Sequence, residues 1–269
     1  MHSIKNNRLI KYFIILFTTI NVKSQVLNID REDGNDTIKK KVKCYSSFSF
    51  SLDKQKNDLI DFTNSTELDY FAKKERVFIF LEQVEMNFTG KTTLENNGYF
   101  QIRYRDNDTR KLYPDYFIQY QWNGILGMEH RGLGGVNLRI RWFEKTKSDL
   151  YTSIGFFYEK ERWNPFLNDF SFLSETTEIV NRTLIRLNLS TKFAFKISEN
   201  IDFSGSTFIQ FPMNSYFKNP RWFFDFNLNL NVNKYLSFVI HYDHNFDKYR
   251  PLPISDFYYN LRSGLQISI

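Results

Sequence analysis

The chain has little cysteine, glycine or proline and no long apolar run, and each scarcity closes off a class of protein. A single cysteine, Cys44, rules out a disulfide within the chain. Cys44 also stands well downstream of the leader cleavage point expected below, so it reads as a free structural thiol rather than a lipid-attachment site. Eleven glycines and six prolines in 269 residues exclude a collagen-like or linker-dominated chain. The main apolar run, Tyr12–Phe17 continuing to Ile20, is too short to cross a bilayer as a helix. A mean hydropathy of -0.46 excludes a helical bundle in lipid. It does not exclude a barrel, which shows lipid only every second residue.

Charge of one sign is also scarce once its position is considered. The net charge is +6, but Lys5, Arg8, Lys11 and Lys23 lie in 1–24 with no acid beside them. Removing those four from 36 leaves 32 basic against 30 acidic groups, so no nucleic-acid partner is expected.

What the chain has in abundance is aromatic: Phe 29, Tyr 16 and Trp 4, or 18% of all residues. Rings at this density suit two membrane interfaces better than a soluble core. Tyr70, Phe71, Trp142 and Tyr235 at one set of strand ends, and Tyr158 and Trp222 at the other, are the expected girdles. Residues 1–24 carry positive charges, then the apolar run, then Val22-Lys23-Ser24, which is the order of a secretory leader. The expected plan is a leader over 1–24, a short periplasmic segment over 25–40, and a barrel over 41–269 in the cell outer membrane.

Beyond residue 41 apolar residues recur at every second position, the strand period. Trp222, Phe224, Phe226, Leu228, Leu230 and Val232 alternate with Phe223, Asp225, Asn227, Asn229 and Asn231, a sorting that a helical period would scramble. The same reading gives strands at 42–53, 59–71, 76–88, 98–106, 112–122, 128–143, 149–160, 181–195, 200–211, 221–232, 235–246 and 257–269. Twelve is an even number, as single-chain bacterial barrels have. The expected fold is therefore all-β, one antiparallel transmembrane barrel of about twelve strands after a cleaved leader. Even-to-odd connections come out short; odd-to-even ones include long loops at 89–97, 161–180, 212–220 and 247–256, with 54–58 and 123–127 fitting less cleanly. The last strand places Phe257, Tyr259, Leu261, Leu265, Ile267 and Ile269 on one face. An amphipathic strand ending on an apolar residue is the signal barrel-assembly machinery recognises, so that machinery and outer-membrane lipid are the expected partners.

Several short stretches, in order, resemble the salt-induced outer-membrane protein family, which is also catalogued as a domain of unknown function. They are Gln25-Val26-Leu27-Asn28-Ile29-Asp30, Tyr158-Glu159-Lys160-Glu161, the strand Arg186–Ser190, Phe208-Ile209-Gln210-Phe211-Pro212 and Leu261-Arg262-Ser263-Gly264-Leu265. The resemblance spans nearly all of the chain after the leader. It departs at Lys40–Tyr45, where relatives tend to have glycine, and at Ile269. It implies an outer-membrane barrel without an established activity and carries no catalytic residue with it.

Alternation assigns an inner face rich in charge: Arg103, Arg139, Arg141, Arg182, Arg186 and Arg262, with Glu82, Glu129, Glu159, Asp202, Asp225 and Asp243, and His241 beside them. Such a lining either sorts small solutes or, because its signs balance, fills the interior with ion pairs; the second reading is preferred. His241 and His244 fall three apart, on opposite faces of a strand, so they do not share a metal. A hydrolase needs a serine beside a histidine base. The same-face neighbours of His241 are Val239 and Asp243, so no enzyme and no cofactor is expected. Gly90-Lys91-Thr92-Thr93 lacks the earlier glycine of a phosphate loop, since Glu85 stands there. Asn64-Ser65-Thr66 and Asn181-Arg182-Thr183 are chance sequons in an Asn-rich chain. The 161–180 loop, with Trp163, Phe166, Phe170 and Phe172, is expected as a lid, a plug or an adhesion surface. A pore or structural envelope protein tied to osmotic stress is thus the leading expectation, a ligand-binding barrel the alternative, and an envelope hydrolase the least favoured.

Overall fold

The computed structural model describes residues 41–269 apart from 55–57, 73–75, 90–91, 107–110, 146, 169–177, 214–217, 234–235, 249, 251, 253–254 and 268–269. The expected leader and the 25–40 segment lie outside the described residues. Twelve strands follow one another: β1 (Val42–Lys54), β2 (Asp58–Phe71), β3 (Arg76–Thr89), β4 (Thr92–Asp106), β5 (Leu112–Asn123), β6 (Met128–Lys145), β7 (Ser148–Trp163), β8 (Val180–Ser198), β9 (Ile201–Pro212), β10 (Arg221–Asn231), β11 (Leu236–Asp247) and β12 (Phe257–Ile267). They form a single antiparallel sheet in which every strand pairs with its sequence neighbours. Among the described residues no ladder joins β1 to β12.

The registers set the slope of the sheet. Stepping across paired residues from Val42 leads through Tyr70, Phe78, Tyr104, Tyr116, Val136, Phe156 and Leu187 to Phe211. The path starts at the foot of β1 and ends ten residues above Ile201, the foot of β9. Ten residues rise roughly 33 Å while eight inter-strand steps span roughly 38 Å, so the strands tilt by about 40°. That value falls within the range of transmembrane barrels.

Curvature is equally evident. Phe117 of β5, Leu133 of β6, Phe157 of β7, Phe208 of β9 and Phe223 of β10 form one buried cluster, so inner faces of strands far apart in the ladder meet. Glycines permit the tightest part of this curl. A Cβ on Gly155 would overlap the Val136 carbonyl and Asn137, and one on Gly135 would overlap Phe156 and Phe157.

The strand period held where apolar residues alternate and faltered where they do not. β4 begins at Thr92 rather than 98, which shortens the expected 89–97 loop to two residues. Residues 92–97 are polar apart from Leu94, and backbone pairing with β3, continued past a register shift at Asn87/Phe88 to Thr92, carries them into the sheet. Short and long connections therefore alternate only in the second half of the chain, where 164–179, 213–220 and 248–256 are the long ones. β7 runs on to Trp163, so the expected 161–180 loop starts later and opens with a 3-10 turn at Pro165–Asn168. Its Phe170 and Phe172 lie outside the described residues, as does Tyr235. Val232 lies just beyond β10.

Candidate functional site: the charged interior

The inner face gathers charge because alternation puts every second residue of β3–β11 there, and those residues are mostly Arg, Glu, Asp, Asn and Gln. Glu159 sits at the centre of one lattice, with no exposed surface. Arg131 on β6 and Arg186 on β8 both bond its carboxylate, and Arg221 reaches it from β10 at 3.5 Å. Two residues on, Glu161 receives Arg182 at 2.9 Å, Arg131 at 3.3 Å, Arg221 at 3.4 Å and the Trp163 indole N–H at 3.0 Å. Arg221 in turn donates to Asp247 of β11 at 2.8 Å. Taking an ion out of water costs several kcal/mol, and only shared, hydrogen-bonded partners offset it. Four arginines and three carboxylates bonded across five strands supply that sharing.

A second group lies toward the feet of β4–β7. Asp115 stands 3.6 Å from Arg103 and 3.8 Å from Arg105. Arg139 lies over Tyr151 at 4.5 Å and Tyr113 at 6.0 Å, and Arg141 lies over Tyr113 at 5.5 Å while pairing Glu144 at 3.3 Å. Amides link the groups: Asn188 donates to Asn137 at 3.1 Å, Gln210 to Asn188 at 3.4 Å, and Gln101 to Gln119.

A third group, less buried, occupies β10–β12. His241 Nδ1 is 2.7 Å from the Asn227 amide oxygen, and its Nε2 is 3.3 Å from Asp243 and 3.8 Å from Asp225. Arg262 approaches Asp243 at 3.7 Å. His244 lies on the other face, 3.3 Å from the Trp222 indole nitrogen and edge-on to Phe257.

All ten residues picked from the sequence as lining the interior (Arg103, Arg139, Arg141, Glu159, Arg182, Arg186, Asp225, His241, Asp243 and Arg262) share the concave face. They fall into three groups rather than one ring. Asp202 is there too, accepting from Asn231 at 2.9 Å. Glu82 is not: it shares the convex face with Asn64, which donates to it at 2.6 Å. Glu129 pairs with half-exposed Arg162 at the rim, because a register shift between Met128 and His130 turns it outward. Phe71, expected in a girdle, packs inward against Val77, Ile79 and Leu81. Sequence reasoning missed Arg105, Arg131, Glu161, Arg221 and Asp247. Counting by twos from Arg103, Arg139, Glu159 and Asp243 reaches four of them; Arg221 stands just before the obvious Trp222 row.

The convex face is the opposite in chemistry. Phe48, Phe50, Leu52, Phe100, Ile102, Ile118, Leu138, Ile154, Phe156, Leu261 and Leu265 are exposed there. Trp222 stacks on Phe246 at 4.2 Å, and Phe193, Phe203 and Phe226 form a patch of rings.

A family model described as "Protein of unknown function, DUF481" matches residues 39–253. No curated protein matches the chain. A solved structure titled "NanC porin structure in rhombohedral crystal form" is 12% identical, with 85% of this chain and 98% of that one covered and a TM-score of 0.44.

Proposed function

We propose, from the premise that this chain belongs to the DUF481 family of proteins of unknown function, that it is an outer-membrane β-barrel with a largely filled interior. The carrying observation is the inversion of its two faces. Glu159 and Arg186 are fully buried on the concave side while Phe48, Ile118 and Leu265 are more than half exposed on the convex side. A soluble protein buries the second kind and exposes the first; a sheet in hydrocarbon with a polar interior does the reverse. The tilt of about 40° supports the same reading.

Backbone groups in lipid need partners, so the edges β1 and β12 pair with each other to leave no amide unmet. A climb of ten residues in eight steps scales to about fifteen around twelve strands; closure that keeps each row on its face needs an even climb, and fourteen sets Ile267 opposite Cys44 across the seam. The leader carries the chain over the inner membrane, and the C-terminal strand presents it to the assembly machinery. The interior lattice makes the barrel a structural or weakly conducting envelope protein rather than a wide pore. His241, held by Asn227, Asp225 and Asp243, fits a structural role and no catalysis. The resemblance to salt-induced outer-membrane proteins adds a role under osmotic stress, testable by growth of a deletion strain at high salt.

The native thiol provides the test. In Ile267→Cys, oxidation forms a disulfide with Cys44 that alters gel migration, whereas Ser263→Cys on the same face stays reduced. A product that fractionates as soluble, migrates alike before and after heating and cross-links at neither position contradicts the barrel.

A further inference from the structure

We infer that the convex wall of β1–β3 is the surface through which two copies of this barrel pair in the membrane, centred on Asn64 and Glu82; the inference rests on the barrel reading above. Outward rows elsewhere show what a wall facing lipid looks like. Those of β5 (from Leu112 to Trp122) and β10 (from Trp222 to Leu230) hold no charged residue. On β3 the outward row reads Phe78, Phe80, Glu82, Val84, Met86 and Phe88, so a carboxylate stands at mid-wall with apolar residues on both sides. The row of β2 breaks in the same way, with Asn64 and Thr66 between Phe62 and Leu68. On β1 the break is Ser46, beside Phe48 and Phe50.

These breaks line up across the ladders, because Ser46 is the partner of Thr66 and Thr66 the partner of Glu82. Side chains bond along the resulting stripe. Ser46 Oγ is 3.1 Å from Thr66 Oγ1, and Asn64 Nδ2 donates to Glu82 Oε2 at 2.6 Å. Among the described residues the other carboxylate oxygen of Glu82, Oε1, meets no donor. An ionisable group at membrane depth is costly against lipid and pairs with polar groups of protein or water instead. The stripe lies on the outer wall, away from the polar interior, so its remaining valences call for protein laid against that wall.

The stripe is its own complement, which makes a second copy the partner. It offers donors in the Asn64 amide and the Ser46 and Thr66 hydroxyls, and an acceptor in the Glu82 carboxylate. A two-fold interface needs one such self-complementary patch and nothing more. With the axis along the membrane normal, Asn64 of each copy meets Glu82 of the other. Each carboxylate then gains an amide donor, and the amides keep the two negative charges apart. A different protein would have to bring its own donors or a cation to the same depth. Rings frame the stripe and supply apolar contact: Phe48 lies edge-on to Phe62 at 5.3 Å, Phe78 lies 4.9 Å from Tyr104, and Phe48 and Phe78 are both exposed.

The test is the oligomeric state of the refolded mature chain, by sedimentation in detergent micelles and by thiol cross-linking in lipid vesicles. The parent sediments as a dimer. Asn64→Leu with Glu82→Leu replaces the stripe by side chains that suit lipid, so the barrel folds but pairs at least about tenfold more weakly, the worth of a hydrogen bond to a charged group. Thr191→Leu, the same kind of change on β8 across the barrel, pairs like the parent. In a Cys44→Ser background, Thr66→Cys joins two copies through a short bifunctional thiol reagent and Thr191→Cys does not. A parent that is monomeric in micelles and vesicles, a double variant that pairs as tightly as the parent, or equal cross-linking at both positions overturns the pairing. Heat-modifiable migration and the Cys44–Ile267→Cys cross-link report the barrel independently, so its failure and that of the pairing are distinguishable.

Discussion

Two arcs of the same sheet differ in almost everything but strand geometry. From β4 to β10 the concave face is filled by arginines, carboxylates, amides and five apolar residues, and a methyl group on Gly155 or Gly135 would run into the neighbouring strand at Val136–Asn137 or Phe156–Phe157. Along β12, β1 and β2 the same face is open, with Tyr45 42% exposed and Gly264 facing empty space. The difference teaches that sheet pairing and interior filling are separate achievements. The filled arc is held by side chains reaching across strands, as Arg221 reaches from β10 to β7; the open arc relies on its ladders.

Substitutions that separate the arcs follow in order of expected size. Glu159→Ala removes the carboxylate shared by Arg131, Arg186 and Arg221. Uncompensated buried charge costs about 3–5 kcal/mol, so the urea midpoint of the refolded barrel should fall sharply or folding should fail; an unchanged midpoint would mean the lattice does not hold the arc. Gly155→Ala comes next, since overpacking costs about 1–3 kcal/mol. Gly264→Ala on the open arc should shift the same midpoint by less than about 0.5 kcal/mol. Equal effects of the two alanines would erase the distinction between the arcs. Glu82→Gln is the smallest: the convex face keeps its hydrogen bond from Asn64, and the midpoint should move within about 0.5 kcal/mol. A large loss there would show that the Glu82 charge itself matters.

The strands were legible because their rows of side chains alternate, without a break in Trp222–Leu230 and with only Ser263 interrupting Phe257–Ile267. β4 was half hidden because 92–97 offers no apolar alternation, and only its backbone partner β3 pulls it into the sheet. Bulges misled in a different way. One extra residue flips every side chain beyond it, so Glu129 turned to the rim while Glu159, on an unbroken strand, stayed inside. Alternation put the ten picked residues on one face, yet it misplaced Glu82 and Glu129 and said nothing of how the charges group. Alternation says that Arg186 and Glu159 share a face; it does not say that Arg221, three strands from Glu159, will reach it.

The sequence by itself determined which residues of an unbroken strand share a face, because a strand sorts its side chains by parity and parity needs no partner. It determined the strand count for the same reason. Only the tertiary structure decided how far the sheet curls and which charges share a carboxylate. Those depend on register and curvature summed over many ladders, and a single strand contains no record of either.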